Sequence, residues 1–406
     1  MAQNNQFGHY QPTAPQQPQG QYAPYCYTPV QQWVQYPQQS YPTVPTQPAV
    51  PYQPYAQYPN GYPIYPNNPY YYDPEKARQE YEKRLKVEKA KQALRYLGNM
   101  SGLSIILFLV FNTLVSSVLA VPGWMELYQK NSVFNSAFSI IASFVYIFIP
   151  FSIIAFLIRR RDTKVNFFPF KKMQPRRALL CIPIGLSVCI GANVFTNMII
   201  NLFDSIGVKL SQQSDGMVEP QGAFALVMSV LCTALMPALL EEYALRGVIL
   251  QPARRYGMLF AIISSSAIFG LMHGNLIQAP FAFLVGMCFA FMAIKCDSLW
   301  IGVILHFLNN GFSVVMSYLM KRLPEAKINL IYYIIIGIVV VAGIVCFAVL
   351  LVKDKEFFKK TEGNIAGEEA TILSAGQKFV SYFVNAPMII SFVLIVLLTA
   401  QYIAKK

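Results

Sequence analysis

Long apolar runs separated by short polar segments dominate the chain from residue 101 onward. Many of these runs reach the roughly 20 residues that an α-helix needs to cross the hydrocarbon core of a bilayer. Few charged residues interrupt them, which is typical of transmembrane helices. The pattern predicts an all-α, polytopic membrane helical bundle of about eight or nine transmembrane helices. The predicted spans lie near residues 101–121, 137–158, 178–203, 223–250, 258–275, 279–295, 299–320, 328–352 and 384–403.

The first 72 residues have a very different composition. They contain no Lys, Arg, Asp or Glu, and they hold 15 of the 27 prolines and 14 of the 25 tyrosines, with glutamine between them. Proline prevents regular helix and central strand, and the segment has no apolar periodicity that could bury a core. Residues 1–72 are therefore predicted to be a disordered tail. It acts either as a spacer or as a docking segment that binds a partner protein or another copy.

Residues 73–97 connect this tail to the membrane bundle. Charges of both signs at helical spacing predict a solvated juxtamembrane helix with a net positive charge. Because basic residues collect on the cytoplasmic side of membrane helices, the tail is predicted to be cytoplasmic. The rest of the chain is predicted to form a membrane bundle at 101–352, with a motif core at 178–320. A linker and a C-terminal transmembrane helix follow at 353–406.

Composition and charge agree with a multi-pass protein of the cell membrane. The chain is 55% hydrophobic and 13% charged, against about 25% charged in soluble domains. The net charge of +13 does not indicate nucleic acid, because the basic residues flank apolar runs. The basic loop 159–177 is predicted to be cytoplasmic, and 122–136 and 204–222 to lie outside. Six of the seven cysteines lie in or beside apolar segments, without a CxxC, so buried thiols are predicted rather than disulfides.

Ionisable residues inside the apolar runs are the candidates for chemistry. In the run 223–250, eighteen apolar or small residues precede Glu241 and Glu242, and Arg246 follows one helical turn later. Two of the three histidines, His273 and His306, also lie within apolar runs. An ionisable side chain at membrane depth is costly and usually functional. Carboxylates and imidazoles are the usual proton-transfer and metal-ligand groups, so the pattern indicates chemistry within the membrane.

The spacing allows Glu241 and His273 to meet. If the chain turns at Tyr256–Gly257, both residues lie 16 positions from that turn. At a rise of about 1.5 Å per residue, each is roughly 24 Å from the turn, so the two are level in an antiparallel hairpin.

Two further pairs are spaced to share a helix face. Asn310 follows His306 by four residues, and Arg246 follows Glu242 by four. An acid that precedes a base by four residues is the favourable order. Arg246 is therefore expected to neutralise one of the two adjacent carboxylates and to leave the other available as a general base.

Structural roles and ion transport are the alternatives to catalysis for these residues. A glutamate–arginine pair can be a structural ion pair, and histidine or asparagine within the membrane can serve as a hydrogen bond between helices. A proton-coupled membrane transporter could use the two glutamates and the histidines as a proton relay. Such a carrier is expected to have two related halves with interrupted helices at matching positions. The sequence shows no such halves.

Three segments resemble the motifs of a known family. EEYALRG (residues 241–247), FGLMH (269–273) and HFLNN (306–310) are similar to the E-E-x-x-x-R, F-x-x-x-H and H-x-x-x-N/D motifs of the CPBP family, also called Abi. That family comprises CAAX-prenyl-protease-like and bacteriocin-processing membrane peptidases. Each motif alone is weak, but here all three occur in order at membrane depth. The resemblance covers roughly residues 178–320.

The resemblance implies a role for each matching residue. Glu241 matches the general base that activates water, and His273 matches its partner in holding that water. Glu242 matches a second essential carboxylate, which Arg246 would orient. This assignment agrees with the chemistry of peptide hydrolysis, which needs a base for water and donors for the developing oxyanion.

His306 and Asn310 match the groups that stabilise the oxyanion. Because family members are often called metalloproteases, zinc bound by Glu241, His273 and His306 is the alternative mechanism. No H-E-x-x-H occurs, and Asn310 is a poor zinc ligand. A glutamate-activated water without a cofactor is therefore favoured.

The predicted function is that of a bacterial intramembrane endopeptidase. Its expected partners are the lipid bilayer and membrane-associated peptides or proteins, such as leader peptides or the termini of membrane proteins, and not nucleic acid. The alternatives are the transporter and a catalytically inactive immunity or scaffold relative.

Overall fold

The computed structural model describes residues 74–169, 173–210, 222–358, 367–400 and 403–405, together with residue 220. The predicted tail at 1–72 lies outside the described residues. The elements, in chain order, are α1 Pro74–Ala120, α2 Trp124–Lys130, α3 Ser132–Arg161, α4 Pro175–Ser205, β1 Val208–Leu210, α5 Gly222–Tyr256, α6 Met258–Met272, α7 Gln278–Cys296, α8 Trp300–Met320, α9 Glu325–Lys353, α10 Lys355–Phe358, α11 Glu369–Ile372, α12 Ala375–Phe383, α13 Ala386–Ala400 and β2 Ile403–Lys405.

The helices confirm the predicted polytopic, all-α architecture. Among the described residues, seven helices are long and apolar enough to cross a membrane, and the pair α12–α13 would make an eighth span. The run predicted at 258–275 forms the 15-residue helix α6, which is shorter than a full span. The protein is therefore a multi-pass membrane protein.

The structure differs from the predicted spans at three places. The charged segment 73–97 and the first apolar run form one helix, α1, because Leu94 and Leu97 continue its buried face. The run predicted at 384–403 contains the 15-residue helix α13, which is joined to the preceding helix α12 at a bend of 72° between Phe383 and Ala386. The strands β1 and β2 form a short antiparallel pair, with Val208 opposite Lys405.

Small residues of α1 let the C-terminal helices pack closely against it. A Cβ atom at Gly98 would meet the Tyr382 carbonyl oxygen, and one at Gly102 would meet the Met388 backbone. Ser101 Oγ also lies 2.6 Å from the Tyr382 hydroxyl. Small residues at such positions are a usual means of packing membrane helices.

Helix α5 carries the glutamate motif and is irregular on both sides of it. π-helical turns occupy Leu231–Leu235 and Tyr243–Ile249, and the two glutamates lie between them. π-turns inside α-helices are frequent at functional sites because the extra residue changes the direction of the side chains that follow. After Tyr256 the chain turns at Gly257, whose φ of 111° favours glycine, and α6 begins at Met258.

Candidate active site

One cavity brings together side chains from all three motifs. It has a volume of about 460 Å³, and its lining includes Glu241, His273, His306 and Asn310. Glu242 and Arg246 do not line it and are instead fully buried beside it. The six residues singled out in the sequence therefore divide between an open region and a closed one.

Glu241 faces the open region. Its side chain is 18% exposed, and its Oε2 lies 3.8 Å from His306 Nε2. That separation is too long for a direct hydrogen bond. A gap of this kind between polar groups beside a cavity suits a bridging water.

His306 also contacts the neighbouring glutamate. Its Nδ1 lies 3.2 Å from Glu242 Oε1. A carboxylate oxygen can only accept, so Nδ1 carries the proton and donates. His306 therefore stands between the two carboxylates, a position that sequence spacing does not predict. Gly302, one turn earlier on α8, packs directly on the Glu242 carboxylate, where a Cβ atom would collide with it.

Arg246 pairs with Glu242 rather than with Glu241. Its Nε lies 3.1 Å from Glu242 Oε2, and both side chains are 0% exposed. The guanidinium carbon lies 4.7 Å from the centroid of the Phe269 ring and 5.7 Å from that of Phe289. A buried ion pair is costly unless its charges are compensated. Here each charge has the other close by, and the guanidinium alone also has two aromatic rings beside it.

His273 is the residue that follows α6, 16 positions after the turn at Gly257, and it lines the same cavity as Glu241, as the residue count predicts. Its Nδ1 lies 2.8 Å from the Phe269 carbonyl oxygen, which can only accept, so Nδ1 donates and Nε2 is the acceptor of the neutral ring. Asn275 Nδ2 donates to the His273 carbonyl oxygen at 3.0 Å. Thr399 Oγ1, from α13, donates to the Gly274 carbonyl oxygen at 2.9 Å. Two hydrogen bonds therefore fix the turn that carries His273, one from within the turn and one from α13.

Asn310 is held on the other side of the cavity. Its Nδ2 donates to the Thr233 carbonyl oxygen at 3.2 Å, and its Oδ1 accepts from Asn309 Nδ2 at 3.0 Å. The amide NH₂ has two hydrogens, so this arrangement orients the group and leaves it able to donate a second time.

Much of the cavity wall comes from outside the three motifs. Asn112 and Ser116 of α1, Tyr128 of α2, and Ser139 and Tyr146 of α3 all line it. Sequence reasoning missed these residues. The available signal was weak, since single Ser, Asn and Tyr residues within apolar runs are common in membrane helices.

The zinc alternative would place Glu241, His273 and His306 around one ion. Among the described residues, no group of three or more His, Cys, Asp or Glu side chains is arranged to hold a metal. His306 directs Nδ1 to Glu242, and His273 directs Nδ1 to a carbonyl oxygen. Histidines that bind a metal through Nε2 commonly hold Nδ1 in this way, so these two bonds are compatible with either mechanism. The placement of the three side chains, which form no such group, is what does not fit a three-ligand zinc site.

The same segment is similar to known membrane peptidases. Residues 223–312 match the family model of "Type II CAAX prenyl endopeptidase Rce1-like" proteins. The chain is 30% identical over 118 residues to the "Membrane-embedded CAAX protease MroQ" of Staphylococcus aureus (strain USA300), covering 26% of this chain and 47% of that protein. It is 27% identical over 94 residues to YdiL of Bacillus subtilis (strain 168), named as a candidate membrane peptidase, covering 23% of this chain and 38% of that protein.

The resemblance to CAAX-protease-like membrane peptidases is therefore confirmed, and it centres on the three motifs. The chain spans less than half the length of these two relatives. No solved structure matches the chain.

Proposed function

We propose that the protein is an intramembrane endopeptidase of the CAAX-protease-like type, which hydrolyses peptide bonds of membrane-associated or leader-peptide substrates. The observation that carries this proposal is the convergence of all three motifs on one cavity, where Glu241 is accessible beside His306. The match of residues 223–312 to a peptidase family supports the same class of reaction.

The proposed first step is activation of water by Glu241. A water between the Glu241 carboxylate and His273 Nε2 gives its proton to the carboxylate, and its oxygen attacks the carbonyl carbon of the peptide. A positioned general base contributes about 10²–10⁴-fold to such a rate. Nδ1 of His273 is already fixed by its hydrogen bond to the Phe269 carbonyl oxygen, so the ring is oriented before water binds.

The proposed second step is stabilisation and collapse of the tetrahedral intermediate. His306 Nε2–H and the amide of Asn310 donate to the oxyanion, which requires that both nitrogens of His306 carry protons while Nδ1–H donates to Glu242. The proton held by Glu241 then passes to the amine nitrogen as the C–N bond breaks. Glu242 and Arg246 act as positioning residues, because their contacts fix the His306 ring.

The experiment compares purified variants in detergent against a peptide library. We expect Glu241→Gln and His273→Ala each to lower the cleavage rate by about 10²–10⁴-fold. Glu126→Gln, an acid-to-amide change at a side chain that is 67% exposed on α2, is the matched control and should cleave at the wild-type rate. Cleavage at that rate by both Glu241→Gln and His273→Ala would contradict the proposal.

A chelator tests the metal-free mechanism separately. We expect wild-type cleavage to be unchanged after incubation with 1,10-phenanthroline and gel filtration. Loss of cleavage that Zn²⁺ restores, with an unchanged melting temperature, would show that the metal-free mechanism is wrong while leaving the peptidase assignment in place.

A further inference from the structure

The two ends of the helical bundle differ in charge. At one end, α3 finishes with Arg159, Arg160 and Arg161, and Arg254 and Arg255 lie in the last turn of α5, just before α6. Ion pairs gather there, including Arg255 Nη1 with Asp162 Oδ2 at 2.9 Å and Arg177 Nε with Asp354 Oδ2 at 2.5 Å. We call this the basic end of the bundle.

The opposite end contains the end of α1, the short helix α2, the His273 turn and the paired strands. Thr399 meets Gly274 there, and Arg322 Nη2 donates to the Pro220 carbonyl oxygen at 3.0 Å. Cations also lie at this end, namely Lys130 of α2, Lys405 of β2, and Lys321, Arg322 and Lys327 around the turn between α8 and α9. Lys130 Nζ pairs with Glu126 Oε1 at 2.7 Å, and the Arg322 guanidinium carbon lies 3.6 Å from the centroid of the Tyr318 ring. We call this the opposite end.

The candidate active-site cavity lies in the half of the bundle near the opposite end. On α1 its lining begins at Asn112 and continues to Leu119, the last turns before that end. On α3 it runs from Phe138 to Tyr146, the first half of a helix that finishes at the arginines. Asn112 and Ser116 are exposed, so the cavity wall reaches the surface at this end.

Towards the basic end, the site is closed by protein. Phe167, in the loop after α3, is buried, and its carbonyl oxygen would lie 2.8 Å from a Cβ atom at Gly247. Phe168 stacks on Tyr243 with ring centroids 5.3 Å apart. The Leu299 backbone N–H donates to the Pro169 carbonyl oxygen at 3.1 Å. This loop and the buried Arg246 lie between the basic end and Glu241. A cavity of about 850 Å³ does open at the basic end, beside Arg161 and Lys164, but Glu241 is not part of its lining.

We infer that the substrate enters the proposed active site from the opposite end, and that this end is the extracytoplasmic one. Short loops rich in Lys and Arg stay on the cytoplasmic side, which places the basic end inside the cell. The substrate class is then an extended peptide segment on the outer side of the membrane, such as an exported peptide or the outer end of a membrane protein. Its backbone would meet uncharged polar groups in the wall, among them Asn112, Ser116, Tyr128 and Ser139. This inference rests on the proposed function for the identity of the substrate, but not for the sidedness of the cavity.

The test measures sidedness without relying on cleavage. Ser116→Cys and Asn112→Cys place a thiol at the cavity mouth, and Lys164→Cys places one at the exposed surface of the basic end. Each variant is made in the full-length chain, and intact cells that produce it are treated with a membrane-impermeant maleimide. Cells with the wild-type protein are treated in parallel, because labelling of the native cysteines gives the background signal. We expect the two mouth variants to be labelled in intact cells and Lys164→Cys to be labelled only after permeabilisation.

Labelling of Lys164→Cys, but of neither mouth variant, in intact cells would overturn the inference. The cleavage assay is run on the same samples. We expect the maleimide to lower cleavage at least tenfold in Ser116→Cys and to leave Lys164→Cys unchanged. If the labelling is as expected but no variant and no wild-type sample cleaves the peptide, the extracytoplasmic opening of the cavity is supported and only the peptidase proposal is contradicted.

Discussion

Glu241 and Glu242 are adjacent in the chain but lie in two different regions of the molecule. Glu241 borders an open cavity with an 18% exposed side chain, and its carboxylate lies 3.8 Å from His306. Glu242 is 0% exposed and contacts both Arg246 and His306 within 3.2 Å. Successive residues of a helix point about 100° apart, so one carboxylate can face the cavity while the next faces the packed interior.

The two carboxylates are therefore expected to have different roles: Glu241 reacts, and Glu242 positions other groups. A general base must reach water and exchange a proton, which the Glu241 carboxylate can do. The Glu242 carboxylate is already committed to an arginine and a histidine, so its effect on chemistry passes through the His306 ring. A substitution can therefore disturb the packing of the buried pair or the chemistry at the open cavity without the other.

Breaking the buried pair should have the largest effect on stability. Removing one partner leaves an uncompensated buried charge, so Glu242→Ala and Arg246→Ala should each lower the free energy of unfolding by about 3–5 kcal/mol. The measurement is SDS-induced unfolding of the purified protein in mixed micelles. Glu241→Gln is the control on the open side, and it should change the free energy of unfolding by less than about 1 kcal/mol.

The double variant sharpens this prediction. Because Glu242→Ala with Arg246→Ala removes both charges, it should be more stable than the sum of the two single losses predicts. Strict additivity would show that the 3.1 Å contact between Arg246 and Glu242 does not couple the two residues energetically.

A single added methyl group at Gly302 should displace the buried Glu242 and thereby lower activity at the open cavity. In Gly302→Ala, the new Cβ atom collides with the Glu242 carboxylate and displaces it, and His306 with it. A misplacement of about 1 Å near the reacting groups can cost about 10²-fold, so cleavage should fall by about that factor. The change is measured as kcat/KM with the peptide identified from the library.

The matched control lies on the same helix. A Cβ atom at Gly311 would have its nearest neighbour, Ala234 Cβ, at an ordinary 3.8 Å. Both substitutions replace glycine by alanine within α8 and so change helix propensity equally, by about 1 kcal/mol. An equal loss of activity in Gly311→Ala and Gly302→Ala would show that the Glu242 contact is not the cause.

The sequence predicted much of this arrangement because the relevant distances follow from helix geometry. Glu242 and Arg246 pair as their spacing of four residues predicts, and the hairpin at Gly257 brings Glu241 and His273 to one cavity. These relations need only the rise and turn of a helix. The specific roles of the six residues remain predictions.

Contacts between distant helices could not be predicted in the same way. The approach of His306 to Glu242 depends on how closely α8 packs on α5, which Gly302 permits. The bond from Thr399 to Gly274 depends on the path of the C-terminal helices after a 72° bend. Neither the packing distance nor the bend angle is encoded in a periodic pattern, so sequence spacing says nothing about them.

Thr399 should have a smaller effect on the open region. Thr399→Val keeps the shape of the side chain and removes the hydrogen bond to the Gly274 carbonyl oxygen, so the turn that carries His273 loses one of its supports. Hydrogen bonds between membrane helices contribute about 0.6 kcal/mol on average, and cleavage should therefore fall by about threefold. Thr399→Ser retains the hydroxyl and should cleave at the wild-type rate, whereas equal losses in both variants would point to packing instead.

Deletion of residues 1–72 should have the smallest effect on either region. Among the residues that the structure describes, every side chain that forms the cavity and the buried pair belongs to α1 or to elements after it. The tail carries no Lys, Arg, Asp or Glu and so has no charged group to offer either of them. The purified protein without the tail should cleave the library peptide with unchanged kcat and KM. Lower cleavage with an unchanged melting temperature would show that the spacer interpretation is wrong and that the tail takes part in substrate capture.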